Sequence, residues 1–558
     1  MRMTDSRLTR RGLLKGALAI GGGGLIVAAT GGEVVAASSA LAAKNMPTPY
    51  TNMFRRPPVL LPYAQGVDAK GPFAKYALTQ KVGMASILPG LTTKIAGFNG
   101  IFPGPTIKVQ QGTRAEVRIA NKLTVSPLHG GEFSTVTHLH GSASLPQYDG
   151  YANDQTHPGH VKYYQYPNWQ QARTLWYHDH NHRTTAQNVF SGLAAQYHMH
   201  DKYETAQLPQ GEFDVPMIVS DMAFKADGSV AFDHGDNAGF MGDVIMVNGV
   251  PWPKMKVKPR VYRFRFLVAS ISRSYRFALS TGDPFYVVGT DAGMTPKVNA
   301  VTSWRHGAAE RYEVLIDFRK YKPGQKIELK NLSNKNNVDF ANTGKVLQFE
   351  VVADSGPADT YKIPTVLDLG PQPYANRGAI EVNKLTPDMA KARRSLRLQR
   401  KNGIWTVNGE TWDDIEKTDF QRVFANPKPY DVEMWDLINE SGGWFHPLHI
   451  HLIDAKIIAR NTTSNKLAHA WEGGGKDVFY LGENETVTAL MQFTTGDGNA
   501  GGRYMTHCHN LIHEDNDMMI QFAVGDINVN DPINSDMPKV DPDAEWPAKY
   551  APSFPLGT

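Results

Sequence analysis

Four pairs of the form His-x-His, one of them wrapped around the chain's only cysteine, constrain this sequence more than anything else in it. They are His138-Leu139-His140, His178-Asp179-His180, His449-Ile450-His451 and His507-Cys508-His509. In an extended strand residues i and i+2 point to the same face, about 7 Å apart. Each pair therefore projects two imidazoles from one surface. They are too far apart to share a tight mononuclear site and well placed to serve two neighbouring metals. Eight imidazoles suffice for a three-metal cluster with two or three nitrogens per ion.

Cys508 lies between two of these histidines, so its thiolate faces the opposite side of the strand. There it can meet His513 from the same segment and His446 from another. Two imidazoles and a thiolate, with a long axial methionine such as Met518, are the ligands of a blue-copper electron-transfer site. An electron arriving at that copper needs only a few covalent bonds to reach metals held by His507 and His509. Zinc accounts for the pattern poorly, since a structural zinc site closes with four ligands and favours several thiolates. Ten of the 19 histidines sit in these four segments. His198-Met199-His200 is read as a structural pair, and His157, His160 and His182 as surface or loop residues. With Cys508 alone there is no internal disulfide to expect, so packing and bound metal must supply the stability.

The chain around these motifs reads as strands. In Val261–Val268, Tyr262, Phe264 and Phe266 alternate with Arg263 and Arg265. Residues 312–318 and 485–493 alternate in the same way. Period two with β-branched and aromatic residues, punctuated by Gly, Pro and Asn, marks half-buried strands. The best short helix candidate is Pro387–Arg397. An all-β chain of 558 residues implies several sandwiches or barrels rather than one sheet. Breaks fall near Leu208-Pro209-Gln210-Gly211 and across Asp354–Lys384.

The N-terminus has a different character. Arg10-Arg11 precedes a Gly-rich apolar run to Ala29, and Ala40-Leu41-Ala42 offers small residues for cleavage. Twin arginines before a mildly apolar stretch resemble a Tat export signal, here residues 1–42. The run from Gly16 to Ala29 is shorter than the roughly 20 residues that span a bilayer, so no stable membrane insertion is expected. Without the five basic and two acidic residues of 1–42, 53 basic residues face 52 acidic ones. That balance gives no reason to expect a nucleic-acid partner.

The four histidine segments resemble, in order, the copper-binding segments of the multicopper oxidases, in the branch of bilirubin oxidases and bacterial spore-coat-type laccases. The likeness is carried by Ala172-Arg-Thr-Leu-Trp-Tyr-His-Asp-His180, Gly443-Trp-Phe-His-Pro-Leu-His-Ile-His-Leu452, Lys476-Asp-Val478 and His507-Cys-His-Asn-Leu-Ile-His-Glu-Asp515. It implies three cupredoxin-like Greek-key domains, placed at 43–205, 206–370 and 371–558, with the cluster between the first and third. It implies four coppers per chain. His446, Cys508, His513 and Met518 would form the type 1 site, and His138 and His449 would hold the type 2 copper. His140, His178, His180, His451, His507 and His509 would hold the type 3 pair.

Such an enzyme oxidises a small phenolic or tetrapyrrole reductant one electron at a time and reduces O2 to water. Four electrons need four protons. Glu514, if extended, points back to the cluster side, and the resemblance matches it and Asp149 to acidic residues that supply protons. Asp149 reads equally well as a turn residue before Gly150. Asp515 and Asp517 are candidates for orienting imidazoles. Trp444, two residues before His446, would lie where substrate electrons enter, or is a core aromatic. Arg305, Glu310 and Arg311 are expected to stabilise the second domain. A metallo-oxidase of Cu(I), Fe(II) or Mn(II) is the alternative, ranked second because the 19 methionines are scattered. A copper carrier would not need eight extra imidazoles. The expected protein is a monomer, exported by the Tat machinery to the periplasm or beyond.

Overall fold

The structure is a computed structural model and describes residues 26–27, 35–124, 126, 128, 133–233, 238–461, 467–495 and 501–533. The twin arginines Arg10 and Arg11 lie outside the described residues. Within them, consecutive stretches of chain build three pairs of sheets. Two five-stranded sheets occupy residues 59–200. A seven-stranded and a five-stranded sheet occupy residues 214–351. A five-stranded and a four-stranded sheet occupy residues 390–524. Each pair closes over its own apolar interior. Leu78, Ile119, Leu139 and Tyr177 fill the first, Phe264, Phe266, Phe277 and Val314 the second, and Leu398, Trp435, Leu448 and Phe522 the third. Among the described residues no helix is long and apolar enough to cross a membrane.

The alternation at Val261–Val268 forms the expected strand, but both of its faces are buried. Its aromatic face enters the second core. Its polar face packs against the first sandwich. Arg263 and Arg265 share Asp214, and Arg265 also reaches Glu313 and the Thr174 hydroxyl at 2.9 and 3.0 Å. Charge here serves as the joint between two units. Buried cations persist because each finds carboxylate partners.

The helix expected over Pro387–Arg397 is absent. Only Pro387–Met389 makes a single 3-10 turn, and Ala390–Lys401 is a long strand pairing with Val432–Glu440 and Ile404–Val407. Alternation decides it: Leu396 and Leu398 enter the third core. Arg393, Arg394 and Arg397 pair across to Asp436, Glu433 and Glu440. Local helix preference of Ala, Arg and Lys is worth tenths of a kcal/mol per residue and yields to that packing.

Candidate metal centre

Four strands and one helix carry the site. β1 (Thr137–His140) and β2 (Arg173–Asp179) pair antiparallel, with His138 opposite His178. β3 (His446–Ile450) and β4 (Gly502–Cys508) pair antiparallel, with His449 opposite His507 and Leu448 opposite Cys508. The helix α1 (Leu511–Asp515) follows β4, and the Asn510 side chain caps it by accepting from the Ile512 amide at 3.2 Å. β1 is an edge strand of its sheet, which leaves its histidines free to face β3 and β4 across the junction of the first and third sandwiches.

On one side of β4 the Cys508 sulfur lies 3.2 Å from His446 Nδ1 and 3.5 Å from His513 Nδ1, and those two nitrogens are 3.2 Å apart. All three residues are fully buried. The far nitrogens are tied down. His446 Nε2 hydrogen-bonds the Ser441 hydroxyl at 2.8 Å, and His513 Nε2 donates to the Ala238 carbonyl at 2.8 Å. Met518 is buried beside them. Its amide donates to the His513 carbonyl, and its carbonyl accepts from the Cys508 amide.

On the other side His507 and His509 join the remaining pairs. The rings of His140 and His449 stack with centroids 3.6 Å apart, and those of His138 and His451 at 4.0 Å. Ligand atoms of His140, His178 and His509 converge to within 4.8 Å of one another. Those of His180, His451 and His507 do the same, and His138 and His449 converge with His140.

Most rings are anchored through one nitrogen. His178 Nδ1 donates to the Asp179 carbonyl, His449 Nδ1 to the Asp477 carbonyl at 2.9 Å, and His138 Nδ1 to the Asp149 carbonyl. His451 Nδ1 meets Asp149 Oδ2 at 2.7 Å, His507 Nδ1 meets Glu514 Oε2 at 2.9 Å, and His140 Nε2 meets Asp477 Oδ1 at 3.1 Å. The nitrogens turned inward are the ones left over. His138 Nε2, His140 Nδ1, His178 Nε2, His449 Nε2 and both nitrogens of His509 are buried without a hydrogen-bond partner. A buried polar atom left unpaired costs about 1–3 kcal/mol. The five imidazoles that carry these atoms converge on one interior and form a ligand set, and rings anchored from behind are the arrangement metal sites use.

Two family models, both for multicopper oxidases, match residues 80–204 and 386–528. The bilirubin oxidase of Albifimbria verrucaria is 40% identical over 443 residues, which cover 77% of this chain and 72% of that protein. The laccase of Bacillus subtilis is 32% identical over 486 residues, covering 78% and 91% respectively. The chain belongs to the multicopper oxidase family. The crystal structure of a laccase from Pediococcus acidilactici superimposes with a TM-score of 0.72 at 26% identity, over 88% of this chain and 96% of that one. The three sandwiches are thus cupredoxin-like domains, and the metal of this multicopper oxidase is copper.

Burial sets the protonation states the oxidase presents to copper. It pushes every cluster imidazole below its ordinary value, His180 to about 4 and His507 and His446 to about 3. These rings are therefore neutral donors at pH 7. Burial raises the Cys508 thiol far above its usual range, although the Asn510 amide opposes the shift, so a cation must displace its proton. Burial likewise raises the Asp149 and Glu514 carboxyls above their ordinary values.

The sequence-derived residues occupy these places with some corrections of geometry. Glu514 is in helix α1 rather than an extended stretch, and one helical step from His513 turns it to the cluster. Asp515 accepts from the Thr185 and Ala186 amides at 2.8 and 2.9 Å, at the start of the helix Thr185–Ser191, instead of holding a cluster imidazole. Asp517 faces His182 and Arg183. His182 is no loose surface residue: Glu416 and Asp517 flank its two nitrogens at 3.2 Å each. Arg305 and Arg311 reach out of the second sandwich to Glu485 and Asp477 of the third, at 2.7 and 2.5 Å. Lys476 meets Glu310 at 2.7 Å across the same joint. His198 is buried against Gln196, as befits a structural residue.

Trp444 is buried, its ring 5.8 Å from that of His513. Trp405 is closer still, at 4.1 Å from His513 and 5.2 Å from His446. Sequence reasoning missed Trp405 because it stands on a separate hairpin with no motif around it. It also gave no role to Asp477, whose one signal was its place in Lys476-Asp-Val478.

Proposed function

We propose that this enzyme oxidises a small phenolic or bilirubin-like tetrapyrrole donor and reduces O2 to two waters. His446, Cys508, His513 and Met518 would hold the type 1 copper, and His138 and His449 the type 2 copper. His140, His178, His180, His451, His507 and His509 would hold the type 3 pair, four ions per chain. When bound, these ions supply one-electron acceptance from the donor and the store of electrons that carries O2 to water without releasing partly reduced oxygen.

The chain's own residues do the rest. Trp405 and Trp444 pack against His446 and His513 and keep water from them. The His507-Cys508-His509 backbone is a covalent bridge between the two donor sets. Glu514, between His180 and His507, holds and passes protons at its Oε atoms, and Asp149 does so beside His451 while fixing that ring. The observation that carries the reading is that Cys508 belongs to one donor set while its two flanking histidines belong to the other. We read the folding units as 43–205, 206–370 and 371–558 and the enzyme as a monomer. Arg10-Arg11 supports Tat export to the periplasm or beyond.

Oxygen uptake by the copper-loaded protein, measured in parallel with bilirubin, a methoxyphenol and Cu(I), tests the substrate class. Uptake with either organic donor is expected. Uptake with Cu(I) alone would replace this reading by that of a metallo-oxidase.

A further inference from the structure

His140 is anchored the other way round from its neighbours. His138, His178 and His449 are tied through Nδ1 and leave Nε2 unpaired, whereas His140 is tied through Nε2 and leaves Nδ1 unpaired. Its anchor, Asp477, is itself gripped from the second sandwich. Arg311 pairs with it by two prongs, Nη1 to Oδ1 at 2.6 Å and Nη2 to Oδ2 at 2.5 Å. The remaining three N–H groups of Arg311 are engaged as well. Nε donates to the Thr174 carbonyl at 3.1 Å, Nη1 to the Ala309 carbonyl at 3.2 Å and Nη2 to the Asp291 carbonyl at 3.2 Å. Thr174 lies on β2 of the first sandwich, Ala309 and Asp291 in the second, and Asp477 in the third. One fully buried guanidinium thus reaches all three units with all five of its donors. Asp291 braces the pair from behind, accepting from the Arg311 amide at 2.7 Å and from the Asp477 and Val478 amides at 3.2 and 3.1 Å. Gly141, the residue after His140, makes room for it. Its φ is +88°, and a Cβ there would come within 2.5 Å of Arg311 Nη2 and 2.9 Å of Asp477 Oδ2.

We propose that Arg311 is a positioning residue for the copper cluster, a second-domain side chain that acts through Asp477 to set which nitrogen His140 turns to the metal. This rests on the function proposed above. A planar fork holds both oxygens of a carboxylate and stops it rotating, which a lysine ammonium on its flexible stem does not. With Asp477 locked, Oδ1 accepts from the His140 Nε2–H. That nitrogen is then closed to metal, and the Nδ1 lone pair is the one left facing inward. Without the fork the carboxylate turns, and nothing else at hydrogen-bond distance holds the His140 ring in that orientation. The second sandwich supplies none of the eight cluster imidazoles, yet one of its residues governs how a ligand of the first domain is presented. Gly141 fits the same account, since the strand end that carries His140 passes too close to the ion pair for any larger residue.

The test follows copper rather than turnover. Arg311→Lys, Asp477→Asn and the double variant are loaded with copper beside the parent chain. Copper retention is titrated by dialysis, and the blue absorption and the electron paramagnetic resonance of the type 2 ion are recorded. Arg311→Lys should weaken retention by the cluster about 10- to 100-fold and alter the type 2 resonance, with the blue absorption unchanged. Because Arg311 acts through Asp477, the double variant should lose no more than Asp477→Asn alone. Parental retention in Arg311→Lys, losses that add in the double variant, or equal loss of both copper signatures overturns the proposal. Should the lysine chain not fold, Gly141→Ala keeps the guanidinium but crowds the pair, and it should show the same selective loss. An unaltered cluster in that chain overturns the proposal too. A parent chain that takes up copper only at the Cys508 set overturns the functional reading instead.

Discussion

The two donor sets flanking β4 are built on opposite principles. The Cys508 set draws its ligands from the third domain alone, and its imidazoles are anchored by neutral groups, the Ser441 hydroxyl and the Ala238 carbonyl. The eight-histidine set is split between the first and third domains, and three of its rings lean on carboxylates from Asp149, Asp477 and Glu514. The contrast fits the tasks proposed for them. A site that passes electrons gains from an apolar, rigid shell that excludes water and changes little between oxidation states. A site that makes water needs protons, hence carboxyl groups that burial keeps protonatable. Placing the second set at a domain junction also ties copper binding to the buried ion pairs that hold the domains together.

The comparison breaks most completely if Cys508 can be dispensed with. Cys508→Ser should abolish the intense blue absorption and reduce turnover to background, while the eight histidines still bind copper by metal analysis. Persistence of colour or turnover would mean that the two sets are not linked through this residue. Glu514→Gln should leave the blue absorption unchanged and lower kcat about a hundredfold, the usual contribution of a general acid. A parallel loss of colour would give Glu514 a structural role instead. Asp477→Asn should weaken copper retention by the cluster about 10- to 100-fold, as loss of an imidazole's anchoring partner does, again sparing the blue site. Equal loss from both sites in a dialysis titration would erase the proposed difference in anchoring.

The smallest effect concerns acid. In the copper-free protein the histidines have folded values below their unfolded value near 6.5, so the unfolded chain binds more protons on acidification. Their stabilising contribution is complete above pH 6.5 and is lost as pH falls towards about 4 for His180 and about 3 for His446. Denaturant midpoints should therefore decline steadily below pH 6.5, with copper removed beforehand. A flat profile down to pH 4 would show that the rings are not held neutral.

Much of the site was legible because its grammar is local. His-x-His on a strand commits two rings to one face whatever surrounds it, and His-Cys-His commits the sulfur to the other. Glu514 was placed correctly by a wrong route. Extended and helical geometry both turn it away from His513, but the Asn510 cap selects the helix. Pro387–Arg397 was misread because its helix-favouring side chains lead into Leu396 and, one residue past the segment, Leu398, which only the third core could claim. Asp477 and Trp405 could not be found by spacing, since each meets a histidine far away in sequence. Arg305 and Arg311 were expected to stabilise the second domain, and their cross-domain partners Glu485 and Asp477 were not foreseen, because charge pattern alone does not name the carboxylate it will meet.

The amino-acid sequence by itself determined which side chains offer donors to a metal and on which faces they stand, because side-chain direction along a strand is a property of two or three consecutive residues. Only the tertiary structure decided which pairs combine into which site and which carboxylates anchor their rings. Those outcomes depend on sheets from distant parts of the chain closing over one another, and on buried charges that are tolerated only where a partner from another domain arrives.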